Sequence, residues 1–307
     1  MFGELIGLWA AAAWRAMDSP DPVCLVELGP GRGTMMRDAL RAAKVMPEFR
    51  AALELHLIEA SPVLERLQRQ VLSASNLPAS WHESIQEVRD GPTIILANEF
   101  FDALPVQQAV MCVDGWHERV VKIGENKGLQ FGVARDPIPL FDEILPGGLP
   151  PAKIGDVFEW RSDQIALEIG RRLLHAPGVA LIIDYGHTGS ALGDTLQAVR
   201  GHEYAAPLSA PGLNDLTAHV DFQALAQAAE GMGARVHGII AQGEFLRRLG
   251  IEQRAAALKA GAPDDRARKI EAALQRLTDE DRTGMGRLFK VLALSSPDIE
   301  ALPGFQA

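Results

Sequence analysis

The order of apolar runs predicts an α/β protein, a mostly parallel sheet with helices on both faces. Short strand-like runs stand at 23–28, 53–58, 79–82, 93–97 and 179–183, with helix-like stretches between them. A glycine-rich turn, Glu27-Leu28-Gly29-Pro30-Gly31-Arg32-Gly33, follows the first run and opens a helix. Polar residues close the runs: Glu27, Glu59, Asn98-Glu99 and Asp184. Ligands of such sheets bind outside the carboxyl ends of the strands, so these side chains are expected in one crevice.

Each element has a local reason. The opening MFGELIGLWAAAAWRAM lacks the basic leading region of a signal peptide and carries Glu4 early. Its Phe2, Leu5, Leu8, Trp9 and Trp14 fit an amphipathic helix packed on a core. The helix after the glycine turn is expected over 34–43. Strand 53–58 ends at Glu59, and Ser61-Pro62 starts the next helix, Ser as cap and Pro at the first helical position. That helix, to about 73, carries Val63, Leu64, Leu67 and Val71 at helical spacing. Between 116 and 133, β-branched alternation brackets GENKG, a hairpin signal, and a proline-rich stretch follows over 137–151. The region of about 113–160 therefore reads as an insertion beside the active-site edge. Segment 243–286, with helices at 244–249 and 266–277, reads as a helical insertion between strands at 236–241 and 288–294. One domain over 1–307 with these insertions is expected.

Composition narrows the function classes. With 307 residues, 47% of them hydrophobic, the chain can bury a large core. A net charge of −10 argues against a nucleic-acid surface and suits a basic protein or a small cationic substrate. No stretch is long and apolar enough to span a bilayer. Two cysteines, Cys24 and Cys112, leave no disulfide framework and no Cys-based zinc site, so no metal is expected. Cys24 lies in an apolar run and reads as a buried bystander. A cytoplasmic protein is expected; its oligomeric state is left open.

The glycine turn alone suits several cofactors. Here Gly29, Gly31 and Gly33 give GxGxG, not the GxGxxG of dinucleotide folds, and Glu27 stands two residues ahead. A carboxylate there would repel a pyrophosphate but attracts the cationic amino group and sulfonium of S-adenosyl-L-methionine. Glu59, at the second strand's end, is placed to accept hydrogen bonds from ribose hydroxyls; nicotinamide enzymes use an acid there too, so it supports a nucleoside without choosing. Ser61 and Asn98 are counted with the cofactor end. After the third run, Trp81 or Ile85 could flank an adenine ring and Glu83 or Ser84 could meet its edge; Trp81 fits the core equally well.

NEFFDALP at 98–105 follows the fourth run, where the transferred methyl group would face. Glu99 and Asp102 suit a cationic nitrogen acceptor, because carboxylates orient it and can localise a lone pair on a guanidinium whose pKa lies above about 12. Phe100 and Phe101 could add cation–π attraction or serve the core.

The set VELGPGRGT (26–34), IEASPVL (58–64), NEFFDALP (98–105), IDYGH (183–187) and DLTAHVDF (215–222) resembles the MidA-like family, in order through to GRLFKVLAL (286–294). The resemblance implies a class I methyltransferase (Rossmann-like) fold and methylation of protein arginine. Mitochondrial members assist assembly of respiratory complex I, so a complex I subunit is the implied partner and the mitochondrial matrix the home of eukaryotic relatives. It carries over the glycine turn and Glu59 as cofactor residues, Glu99 with Asp102 as the acceptor end, and His219 with Asp221 as lining, His219 being the catalytic candidate. An assembly factor that binds the cofactor as a chaperone, or a methyltransferase for another nitrogen, are the alternatives. Family members carry a further N-terminal segment with a Thr-Ser-Pro-Glu-like motif, and this chain begins inside that pattern. If that segment covers the cofactor, weak binding or slow turnover is expected.

Overall fold

A computed structural model describes residues 1–201, 203–281 and 284–306. Arg282 and Thr283, in the expected helical insertion, lie outside the described residues. Helix α1 (Phe2–Ala16) leads into β1 (Val23–Leu28), α2 (Thr34–Ala42), α3 (Pro47–Ala52), β2 (Leu53–Ile58), α4 (Pro62–Leu72), β3 (Ala79–His82) and β4 (Thr93–Asn98). Strands β5 (Gln107–Cys112), β6 (Gly115–Ile123) and β7 (Leu129–Val133) follow, then α5 (Phe141–Ile144) and β8 (Val157–Trp160). Helix α6 (Gln164–His175) precedes β9 (Gly178–His187), after which come β10 (Gln197–Arg200), β11 (Glu203–Ala205), β12 (Asp215–Thr217) and β13 (Val220–Asp221). The last stretch runs α7 (Phe222–Gly231), β14 (Arg235–Ala241), α8 (Gln242–Arg248), α9 (Ile251–Lys259), α10 (Asp264–Thr278), α11 (Met285–Leu288) and β15 (Phe289–Ser295).

The described chain divides into two compact units. One takes Met1–Phe100, Gln164–Gly186 and the chain from Leu225 onward; the other takes Phe101–Asp163 and His187–Ala224. The first holds a sheet of order β14-β15-β9-β4-β1-β2-β3. Strands β9, β4, β1, β2 and β3 run parallel, and β15 is antiparallel to both β9 and β14. Every residue of β1 is buried, as expected of a central parallel strand covered on both faces. That burial explains the apolar run VCLVEL and leaves Glu27 as its one ionisable carboxyl.

Close helix packing accounts for the glycines of α1. A Cβ on Gly7 would lie 2.5 Å from the Cα and carbonyl oxygen of Ala39 in α2. Trp9 is buried against the same core, whereas Leu8, expected on the apolar face, is 39% exposed. Glu4 takes the inward place instead. Arg41 and Arg254 each place a guanidinium nitrogen 2.9 Å from its carboxylate, and this pairing, with the Arg254 bond foremost, lowers its pKa to about 2. The apolar face expected of α4 is also corrected: Val63 and Leu67 are exposed, and the buried positions are Gln68 and Leu72.

In the second unit, β7-β6-β5-β8 form an antiparallel sheet over Ala109, Trp116, Phe141 and Phe158. The GENKG hairpin closes through the Gly124 N–H donating to Gly128 O at 2.8 Å. A second small sheet, β11-β10-β12, lies in 197–217, where the sequence offers no comparable strand signal. Between β14 and β15 the first unit carries the helices α8 to α11.

Gly7→Ala should lower stability by about 1–3 kcal/mol, since the new methyl meets backbone that cannot give way. Gly231→Ala, with nothing within 4 Å of its Cβ position, should be neutral or stabilising. Thermal melts of both variants check the pair.

Candidate active site

The glycine turn is built from left-handed backbone. Gly29, Gly31 and Gly33 have φ of 60°, 55° and 71°, a region that favours residues without a Cβ. At Gly29 a Cβ would stand 2.8 Å from Cδ2 of Phe100, so this glycine also makes room for the ring. Gly31 has nothing within 4 Å of its Cβ position and leaves the turn open to a ligand. Gly33 caps α2, and its N–H donates to Pro30 O at 2.8 Å.

Glu27 lies just below this turn and is 2% exposed. Its Oε2 is buried with no hydrogen-bond partner among the described residues, and burial raises its pKa to about 8. A buried carboxyl without a partner is costly when charged, and an incoming ammonium group would supply the missing partner.

Gln68 ties the neighbouring pieces together. Its Nε2 donates to Gly31 O at 2.8 Å and to Glu59 Oε2 at 2.9 Å, and its Oε1 accepts from Trp81 Nε1 at 2.9 Å. Glu59 Oε1 accepts the Ser61 N–H at 2.8 Å. Each carboxylate oxygen keeps a lone pair for a hydroxyl, in a fixed orientation. Ser61 caps α4 as expected, its Oγ accepting from Leu64 N at 3.4 Å. Trp81 is partly buried against the core, its indole N–H donates to Gln68, and the Arg69 guanidinium lies 4.0 Å from the ring centroid. Ser84 caps the short turn Ile85–Glu87, and Ile85 is 3% exposed.

At the end of β4, Glu99 is held at φ 50° with its N–H donating to Ile183 O at 3.0 Å. Asn98 Nδ2 donates to Glu99 Oε1 at 3.4 Å. The buried Asp184 carboxylate accepts the N–H of Phe100 at 3.2 Å and of Tyr185 at 2.9 Å, which gives it a structural task. Thus Glu27, the glycines, Glu59, Ser61, Ser84, Ile85, Asn98 and Glu99 all belong to the first unit.

Asp102 and His219 belong to the second unit, where Arg161 joins their segments. The Arg161 guanidinium donates to Ala218 O at 2.7 Å, His219 O at 2.8 Å, Asp102 O at 3.3 Å and Leu104 O at 3.4 Å. The Ala218 N–H donates to Asp102 O at 3.1 Å, and the His219 N–H to Thr195 Oγ1 at 2.9 Å. Asp221 Oδ1 accepts from Ala224 N at 3.0 Å and so starts α7. Phe101 is buried, and its reading is core.

Residues 5–240 match the family model described as S-adenosyl-L-methionine-dependent methyltransferase. The chain belongs to this methyltransferase family. The Drosophila melanogaster protein arginine methyltransferase NDUFAF7 homolog, mitochondrial, is 36% identical over 96% of this chain and 72% of its own length. The Danio rerio protein arginine methyltransferase NDUFAF7, mitochondrial, is 33% identical over 95% of this chain and 74% of its own. A Burkholderia thailandensis protein solved with S-adenosyl-homocysteine bound superposes with a TM-score of 0.82 at 27% identity, covering 99% of this chain and 78% of that one. The chain is therefore an S-adenosyl-L-methionine-dependent methyltransferase with a class I fold. No helix among the described residues is long and apolar enough to cross a membrane.

Sequence reasoning missed Gln68 and Arg161, which hold this methyltransferase's motifs rather than form them. The signal for Gln68 was its place about two turns after the Ser61 cap, on the helix that follows Glu59. Arg161 offered none, because its partners are backbone carbonyls.

The Glu27 carboxyl gives a pH test. Its folded pKa of about 8 stands above the ordinary 4.5. The stability it contributes is full below about pH 4.5 and is lost as pH rises through about 8. In cofactor-free protein, Glu27→Gln should flatten the fall in Tm across that window relative to wild type.

Proposed function

We propose that this methyltransferase transfers a methyl group to arginine on a protein, with Glu99 and Asp102 as the acceptor end. The observation that carries the reading is that each acid after β4 is held within its own unit: Glu99 in left-handed backbone bonded to β9, and Asp102 in a segment clamped by Arg161. The names of the 36% and 33% identical relatives support arginine as the acceptor. A complex I subunit is the protein acceptor we favour, on the family resemblance. The free Cys24 and Cys112 suit a cytoplasmic location in a bacterial-type cell.

Bound S-adenosyl-L-methionine supplies a methyl group activated on a sulfonium. Glu27 takes the cofactor's ammonium group, Glu59 its ribose hydroxyls, and the open backbone at Gly31 admits the chain between them. Ser61 holds the Glu59 carboxylate and Asn98 steadies Glu99, while Ser84 and Ile85 would flank the base. At the other end, carboxylates pair with the guanidinium and localise a lone pair on one nitrogen. That nitrogen would receive the methyl group the sulfonium supplies, and a carboxylate would take the proton the nitrogen gives up. His219, its main chain held from both sides, is the further proton acceptor. Orientation of this kind is worth about 7–11 kcal/mol of barrier.

Incubation with methyl-labelled cofactor and complex I subunits should place label on arginine, read by mass spectrometry. Glu99→Gln with Asp102→Asn should cut the rate by roughly 10²-fold or more while cofactor affinity holds. Label on lysine, or unchanged rates in the double variant, would overturn the assignment. Arg161→Ala should raise KM for the acceptor several-fold and leave cofactor Kd within about twofold; an equal loss in both would mean only a folding role.

A further inference from the structure

A second cluster lies on β1 and β2, away from the cofactor end. We propose that Cys24, Glu54 and His56 form a binding site for a divalent zinc-type cation, with water as the fourth ligand. The ligand atoms of these three side chains all lie within 4.8 Å of one another. The register explains why. Cys24 pairs with Glu54 across the parallel ladder, and His56 is two residues on, so all three project from one face. Cys24 stands three residues before Glu27, about 10 Å along the strand, which separates the cluster from the glycine turn.

His56 carries the argument for a ligand. It is 9% exposed, and its Nε2 has no hydrogen-bond partner among the described residues. The other ring nitrogen, Nδ1, lies 3.0 Å from His82 Nε2. His82 Nδ1 in turn lies 3.8 Å from Glu87 Oε2. A proton on His82 Nδ1, facing the carboxylate, leaves its Nε2 to accept from His56 Nδ1. The lone pair of His56 then sits on Nε2. This is the outer support that a metal-binding imidazole ordinarily has. A second buried atom without a partner, Thr93 Oγ1, belongs to the residue paired with Cys24 on β4.

The donor set of thiolate, imidazole and carboxylate is a zinc set, and its two anions neutralise a divalent ion. Tetrahedral bonds of about 2.0–2.3 Å place ligand atoms roughly 3.5 Å apart, within reach by side-chain rotation. Nearby cations do not fill the place. Arg89 holds Glu54 Oε2 at 2.6 Å and leaves the second oxygen available to the ion. Arg172 is engaged by Glu168 and by the carbonyls of Ile85, Val88 and Arg89. Binding releases the Cys24 thiol proton to buffer, because burial raises that thiol's pKa and the ion takes the thiolate. The low cysteine count excluded a site made of cysteines; a mixed set of three residue types needs only one.

Cobalt(II) titration of chelator-treated full chain tests the site. One equivalent should bind with thiolate-to-cobalt absorption in the near ultraviolet, and zinc should displace it. Cys24→Ser should abolish the band, while Cys112→Ser should retain it. Glu54→Gln, at a half-exposed position that cannot unfold the core, should weaken cobalt binding by about tenfold or more. S-adenosyl-homocysteine affinity should be the same with and without metal. Absence of a thiolate band at millimolar cobalt, or a band and affinity unchanged in Cys24→Ser and Glu54→Gln, would overturn the proposal.

Discussion

A carboxyl group buried in the central strand of a parallel sheet sets the terms for the cofactor end. Glu27 is enclosed by β2 and β4, its Oε2 has no partner, and its pKa stands at about 8. A chain without ligand therefore holds this group protonated near neutral pH. That desolvation cost is offset by a hydrogen-bonding cation, and the ammonium group of S-adenosyl-L-methionine has the charge and the donors to do so. The glycine turn beside Glu27 is open and fixed. Gly31 admits a ligand to the backbone, Gly29 clears Phe100, and Gly33 turns the chain into α2.

Rigid support then comes from residues that carry no chemistry of their own. Gln68 binds the turn, Glu59 and Trp81 at once, so Glu59 and the glycine turn share one anchor. Asp184 does similar work for Phe100 at the end of β4. In the second unit Arg161 gathers carbonyls from two separate motif segments. A site on rigid elements holds its geometry better than one on loops, and these bonds make loop residues behave as rigid ones.

Much of this was legible in the sequence. Strands 23–28, 53–58 and 79–82 match residue for residue; β1 is fully buried and shows as an apolar run, whereas β3 is only partly buried and is marked by its place after α4. Strand β9 runs to His187, beyond the expected 183, since polar Asp184 reads as an end while its neighbours still pair with β15. Helix α6 is not among the expected elements, although Ile165, Ile169 and Arg172-Leu173 stand at helical spacing. Surface periodicity misled at α4, where a polar Gln68 is buried by bonds that exist only in the folded chain. The sheet over 197–217 was hidden because its strands are three or four residues long and partly exposed. Glu27 stands out in the sequence as an acid two residues ahead of the glycine turn, but its burial and the unpartnered Oε2 belong to tertiary structure alone.

We infer that Glu27 recognises the cofactor's ammonium group. Calorimetric titration of wild type and Glu27→Gln with S-adenosyl-homocysteine and with its analogue lacking the amino group measures that pairing alone. Wild type should prefer the amino-bearing ligand by about 10²-fold, as a buried charge-assisted bond provides, and Glu27→Gln should remove most of that preference. An undiminished preference in the variant would contradict the claim.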